Sequence, residues 1–497
     1  METMLQYFEW DFPADGTLWR RLYADAGYLK DLGITMVWMP PAYKGQGGVN
    51  DTGYGVYDMY DLGEFDAKGT VRTKYGTKEE YVQAVKALGK QGIDALADIV
   101  FNHRMGADYP EEVKARTMDW SHRNTAVAPE HPVEVWTGYD FPDRHNKYSR
   151  FHWTWKDFTG TDFDQTAGKT ELMEFDGKKW DSRVSKEEDN FDFIMGDDVD
   201  FQSRRVIREL YRWGRWYLSQ VPVNGFRLDA VKSIDSGFFT RWLRAMRKEL
   251  RQPAFAVGEW WSGDVHPLLE YLEASQRCMA LFDVPLHYHL QQASQSNGTF
   301  DLRQLFRDTL AQRTPALAVP FVDNHDTQPG QALESWVMDW FRPQANAILL
   351  LRDLLYPCVF FGDLYGMTSG KPKTAGLEDM LRIRSRLSEG VIRDYETGDG
   401  QMLVWKNEGA HPFFVILTEA AGKECQVQEP DVAGCGFTDI MDRSRHLQAD
   451  ETGNMTLSCP DGGLSVWVRD QDLPLLDPAD AVQSDQSADD PASANPA

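Results

Sequence analysis

Gly225-Phe226-Arg227-Leu228-Asp229 is a short strand-like run, broken by one arginine and ended by one carboxylate. Two other stretches share that design: Ala254-Phe255-Ala256-Val257-Gly258-Glu259-Trp260-Trp261 and Pro320-Phe321-Val322-Asp323-Asn324-His325-Asp326. A continuous apolar run of this length is the mark of a strand buried on both faces, as in a parallel sheet. In each case an acid stands where the strand should stop. When eight parallel strands close into a barrel, the chemistry is carried by residues just past their C-terminal ends. Three acids brought to one rim suit acid–base and nucleophilic work.

Working outward from these runs, eight strands can be counted. Met4–Trp10, Ile34–Pro41 and Ile93–His103 precede them. Phe226–Val231 and Ala254–Trp261 are the fourth and fifth, and Met279–Leu286, Leu317–Asp326 and Tyr356–Gly366 complete the set. Helical periodicity falls between most of them. Leu18–Leu32 runs into Gly33, and Thr77–Lys90 opens on a threonine cap with Glu79 and Glu80 in its first turn and stops before Gly92. Leu210–Leu218 and Phe238–Leu250 follow the same pattern. Alternating strands and helices predict a parallel sheet, and eight units predict closure. An open doubly wound sheet is the alternative, but no Gly-rich phosphate turn follows the first strand.

The connection from His103 to Ser203 spans about 100 residues, far beyond an ordinary loop. It is polar and aromatic, with short alternating runs between Gly and Asp turns. After about Tyr395 the pattern changes to short strand-like runs: Met402–Trp405, Pro412–Leu417, Glu424–Gln428, Met455–Ser458 and Leu464–Val468. The expected fold is therefore α/β: a (β/α)8 TIM barrel with a β-rich subdomain inserted after strand 3 and a C-terminal antiparallel β-sandwich. The expected limits are 1–103 and 204–395 for the barrel, 104–203 for the insertion and 396–470 for the C-terminal domain. Residues 471–497, rich in Asp, Ser, Ala, Pro and Gln, read as a disordered acidic tail.

Composition narrows the function. No run of eighteen apolar residues is present, which argues against a membrane-spanning helix. The N-terminus carries neither a basic region nor an apolar stretch for export, so a cytoplasmic location is expected. The five cysteines show no CxxC spacing, so neither a disulfide framework nor a zinc site is indicated. A net charge of −25 disfavours nucleic acid and anionic membranes as partners. Seventeen tryptophans supply ring faces of the kind that stack on sugars, although most must serve the core.

Taken together, the motifs resemble those of the α-amylases of glycoside hydrolase family 13, and within it the liquefying bacterial type and its intracellular relatives. Asp98-Ile99-Val100-Phe101-Asn102-His103 resembles the family's first signature region, Gly225–Asp229 the second, Gly258-Glu259 the third and Phe321–Asp326 the fourth. Val49–Phe65 and Asp323–Gly330 resemble the liquefying subgroup closely. The likeness runs from Gln6 to about Val468. Four such motifs in order, at the ends of the third, fourth, fifth and seventh strands, are hard to obtain by chance.

The resemblance implies roles, residue by residue. Asp229 matches the nucleophile, Glu259 the acid/base and Asp326 the third carboxylate. Arg227, two residues before Asp229 and so on the same strand face, would keep Asp229 ionised. His103 and His325 match the two histidines that bond the sugar at the cleavage site. Tyr54 matches the stacking platform, while Lys232 and Trp261 would line the leaving-group side. Trp260 and Trp261 offer Glu259 the apolar setting that an acid needs. Each residue also has a plainer reading: Arg227–Asp229 as a buried ion pair, His103 as a strand cap, and Asp98 as a support beneath the rim. His287 and His289 form an HxH on the exit of the sixth strand, which reads as loop structure.

The same resemblance implies Ca2+, held by Asn102, Asp192, Asp198 and the main-chain oxygen of Ser233, pinning the insertion to the barrel. Ser233 stands where the liquefying enzymes usually carry a histidine. A second metal cluster in some relatives uses further acids. Asp181 and Asp200 match it, but Thr159 and Gln202 stand where carboxylates are expected. The implied activity is endo-acting, retaining hydrolysis of internal α-1,4-glucosidic bonds in starch, glycogen or maltodextrins, with an α-glucan as substrate and the chain acting as a monomer. A relative that transfers glycosyl units or releases one fixed maltooligosaccharide would differ in its product profile. A non-catalytic glucan-binding relative would lack the nucleophile or the acid.

Overall fold

The computed structural model describes residues 1–478. Eight parallel strands form one sheet in the order Ala318–Val319, Ala280–Phe282, Phe255–Gly258, Gly225–Leu228, Asp94–Ile99, Met36–Trp38, Met4–Gln6 and Cys358–Phe360. A single parallel bridge, Phe321 to Cys358, joins the two ends and closes the ring. The (β/α)8 expectation therefore holds. All but two strand residues here, Asp94 and Phe255, are buried. This is why the sequence shows continuous apolar runs rather than alternation.

The strands are shorter than the apolar runs that announced them. The third ends at Ile99, not at His103; instead His103–Arg104 pairs with Asp197–Asp198 in a different sheet. The sixth ends at Phe282, because Asp283 caps a helix, Val284–Gln295, through the backbone N–H of Leu286. His287 and His289 lie in that helix rather than in a loop. His287 contacts Val322 O at 2.6 Å and Ser335 Oγ at 2.8 Å, and His289 contacts Leu305 O at 2.8 Å. Both are spent on local structure. The expected helices are present. Thr77 and Glu80 form a reciprocal capping box on Lys78–Lys90, and Ser203 caps Arg204–Gln220.

The seam between the seventh and eighth strands has little ladder, but Arg342 spans it. Its guanidinium donates to Asp323 Oδ2 at 2.6 Å on one side and to Asp363 Oδ1 at 2.5 Å on the other.

Residues 103–199 contain a six-stranded antiparallel sheet. Its order is His103–Arg104, Asp197–Val199, Phe158–Asp164, Lys169–Phe175, Tyr109–Thr117 and His131–Gly138. A second antiparallel sheet of six strands runs from Ile392 to Arg469 and has a two-stranded partner, Lys423–Gln428 with Asn454–Cys459. Both answer the β-rich expectations. One correction concerns the tail. Asp470–Leu476 forms a 3-10 helix with Leu476 buried, and Arg386 donates to Leu475 O and Asp477 O at 2.9 and 2.7 Å. The rest of the expected tail lies outside the described residues.

Candidate active site

Arg227 is the centre of the site. It is 1% exposed, and its guanidinium donates to three carboxylates: Asp98 Oδ1 at 2.9 Å, Asp229 Oδ1 at 2.5 Å and Glu259 Oε2 at 2.8 Å. Strand pairing explains the convergence. Arg227 sits opposite Asp98 on one neighbour and Val257 on the other, so the acids leaving the third, fourth and fifth strands meet at the same height. Immediately after Asp229, Ala230 takes a left-handed backbone, φ 46° and ψ 43°, which costs a residue with a Cβ ~1–2 kcal/mol. The strained turn aims the Ala230 N–H at Glu259 Oε2, 3.1 Å away. A Cβ at Gly258, beneath Glu259, would lie 2.7 Å from Met279 Sδ, so a larger residue there would have to displace that side chain.

Asp326 completes the rim. His325 contacts Gln6 Nε2 through Nδ1 at 3.0 Å, and its Nε2 lies 3.3 Å from Asp326 Oδ2. An amide nitrogen only donates, so Nδ1 accepts and the ring proton sits on Nε2, facing the carboxylate. Burial holds His325 neutral, far below the usual imidazole range, and Arg227 adds to this. Burial likewise lowers His103 to about 4. His103 Nε2 donates to Tyr54 O at 2.8 Å, and its Nδ1 is buried without a partner. Tyr54 OH and Trp38 Nε1 both donate to Asp98 Oδ2, at 2.8 and 2.9 Å, so Asp98 is fully engaged as a support.

Burial pushes the Asp229 carboxyl well up; Arg227 opposes this, while Glu259 and Asp98 add to it. The expectation that Arg227 would keep Asp229 ionised thus meets an opposing effect: Arg227 favours the carboxylate, but burial works against it and the one guanidinium is shared among three acids. Asp326 is raised to about 7 by burial first and by Glu259 second. All three acids reach the solvent: the side chains of Asp229, Glu259 and Asp326 are 12, 12 and 24% exposed.

Aromatic rings wall the cleft. Tyr54 stacks on His325, with centroids 5.1 Å apart and planes 10° apart, and Trp10 lies parallel to Tyr54 at 5.9 Å. On the other side Lys232 Nζ donates to Trp261 O at 3.3 Å, and Trp261 Nε1 donates to Tyr288 OH at 3.0 Å. Lys232 also pairs with Glu187 of the insertion at 2.6 Å and stands 4.1 Å over the Phe191 ring. Sequence reasoning missed Gln6, Trp10, Trp38, Glu187 and Tyr288. Gln6 had a signal: it is a polar residue in a wholly buried strand. Glu187 had none, being one acid of several in an irregular loop.

A second acidic group lies below the rim. Asn102 is 1% exposed, and both atoms of its side-chain amide are buried without partners, as is Asp198 Oδ2. The backbone ties these residues together: Val199 N donates to Asn102 O at 2.9 Å, and Asp198 pairs with His103. Burial pushes Asp192 and Asp198 well up; Asp181 and Asp200 raise both further, and Asp192 also raises Asp198. Ser233, fully buried, follows Lys232. The expected ligands Asn102, Asp192 and Asp198 are all buried, and the unsatisfied oxygens among them are hard donors of the type calcium takes.

The model of the α-amylase catalytic domain matches residues 22–411. The α-amylase of Geobacillus stearothermophilus is 42% identical over 477 residues, 94% of this chain and 86% of its own. The α-amylase of Bacillus licheniformis is 44% identical over 412 residues, 82% and 80% of the two chains. The cytoplasmic α-amylase of Escherichia coli (strain K12) is 36% identical over 487 residues, 94% and 98%. Among solved structures, the α-amylase of Geobacillus thermoleovorans complexed with acarbose superposes with a TM-score of 0.61 at 16% identity, covering 94% of this chain and 98% of that one; this is a likeness of fold alone.

Proposed function

The chain belongs to the α-amylase family of glycoside hydrolases, and on that premise we propose that it cleaves internal α-1,4-glucosidic bonds of an α-glucan with retention of anomeric configuration. One observation carries the reading: Asp229 and Glu259 take the two terminal nitrogens of the same buried guanidinium. Two carboxyls held side by side suit double displacement, for which the separation is about 5 Å, rather than inversion, which needs room for a water between them.

In this mechanism Asp229 attacks the anomeric carbon and forms a glycosyl ester while Glu259 protonates the departing oxygen. Glu259, now a carboxylate, then takes a proton from water, and the hydroxide equivalent displaces Asp229. Arg227 receives the negative charge as it moves between the two acids. Asp326 and the ring N–H of His325 bond sugar hydroxyls at the cleavage site, and His103 serves the same sugar from the other side. The parallel rings of Tyr54 and Trp10 offer a stacking face. Lys232 and Trp261 receive the leaving chain.

Asn102, Asp192 and Asp198, with the Ser233 carbonyl, are the residues that would hold calcium. When bound, the ion offsets the buried negative charge and ties the insertion to the barrel. The proposed domain limits remain 1–103 with 204–395, 104–203 and 396–470, and the chain is taken to act as a monomer in the cytoplasm. One observation favours this location: the likeness to a cytoplasmic α-amylase. In that setting glycogen or imported maltodextrins are the natural substrates. Proton NMR of maltoheptaose hydrolysis tests the chemistry: fresh α-anomer with mixed shorter products is expected in the first minutes. Initial β-anomer would overturn the role given to Asp229.

A further inference from the structure

Four buried carboxylates, Asp181, Asp192, Asp198 and Asp200, are 4, 3, 1 and 7% exposed and form one electrostatic group. Their partners divide them. Asp181 holds the Arg183 guanidinium at 2.9 Å, and Asp200 Oδ2 accepts from Lys178 Nζ at 2.6 Å. Among the described residues Asp192 and Asp198 pair with no basic side chain. The Lys178 ammonium also donates to the main-chain carbonyl of Lys156 at 2.6 Å. A carboxylate and a carbonyl oxygen converging on one point are what a hard cation seeks, and here an ammonium takes both. The neighbouring positions that could have completed a metal shell are not acids. Thr159 bonds Asp198, and the Gln202 amide is turned away to Lys179 O at 3.1 Å. The residues around Asp200 therefore do not fit a metal ion.

We propose that Lys178 is a tethered cation at Asp200, occupying the place of an exchangeable metal, so that the chain takes a single calcium. The count of one rests on the Asn102 reading above; the role of Lys178 does not. The test uses the full chain. After chelation and re-addition of calcium, metal analysis is expected to give one calcium per chain, and two or more would overturn the proposal. Separately, thermal unfolding in excess calcium compares Lys178→Gln, Asp200→Asn and the double variant. Lys178→Gln strands the buried Asp200 carboxylate and Asp200→Asn leaves the part-buried Lys178 ammonium without its partner; each should lower the melting temperature, by roughly 5 °C for the first and less for the second. The double variant should recover most of that loss, because the charge and its partner leave together. A Lys178→Gln protein as stable as the parent overturns the assignment, as does a double variant whose losses simply add. If Lys178→Gln fails to fold, the calcium count of the unaltered chain still decides. A chain that binds no calcium yet shows the recovery keeps Lys178 as the cation and loses the Asn102 site.

Discussion

Replacing Asp326 by asparagine should make the protein more stable at high pH while disabling it. Asp326 moves from the ordinary carboxylate value of 3.8 to about 7, through burial and the nearby Glu259. A raised folded value means that the native state binds a proton more tightly than the unfolded chain does. The associated stability is complete below the unfolded value and is lost as pH rises through 7. A shift of ~3 units corresponds to ~4 kcal/mol. Because a quarter of the side chain faces the cleft (24%), solvent screening brings this nearer ~2 kcal/mol. Asparagine keeps an oxygen for the His325 N–H and never ionises. Calorimetry with calcium held in excess should show the two proteins nearly equal at pH 5. At pH 8 the variant should melt higher by roughly 3 °C or more. Activity should fall at least ~100-fold, because the charged contact proposed between Asp326 and the sugar hydroxyls becomes a neutral one. A variant no more stable than its parent at pH 8 would refute the argument that this carboxylate is a costly buried charge.

Three further outcomes follow from the same geometry. Asp229→Asn should fold normally and lose nearly all hydrolysis; a residual rate above roughly a tenth would remove Asp229 from the nucleophile role. Arg227→Lys should cost at least ~100-fold in kcat with far-ultraviolet dichroism unchanged, since an ammonium cannot serve three carboxylates in fixed directions; near-normal kcat would count against the shared-guanidinium mechanism. Chelation of calcium should lower the melting temperature, as the unsatisfied Asn102 amide and Asp198 oxygen would lose their partner; an unchanged transition would sink the calcium site.

The barrel was legible because burial on both faces leaves runs such as Phe255–Gly258 with no polar alternation. The acids were legible because each interrupts or ends such a run. Strand ends were less so: the sequence around His103 continues apolar past Ile99, while the backbone has already turned into the inserted sheet. The helical setting of His287 was hidden by an apolar stretch, Met279–Leu286, that serves a strand and a helix start in turn. The convergence of Asp98, Asp229 and Glu259 on one arginine depends on register between strands, which no local pattern encodes. The pairing of Lys178 with Asp200 joins two turns whose approach is set by the inserted sheet.

The thin seam of the barrel has a consequence for how the molecule would come apart. Elsewhere around the ring, opening means unzipping two to four rungs of a ladder; between Phe321 and Cys358 there is one. Arg342 acts as a clasp there, gripping Asp323 and Asp363 from opposite sides. A hoop shut by a clasp yields at the clasp. The seventh strand leads into His325 and Asp326, so the first segment to lift would carry Asp326 away from Asp229 and Glu259 and leave those two still gripped by Arg227. Early failure on heating would then show as fast amide exchange in residues 318–326 and lost turnover, with most of the ring intact.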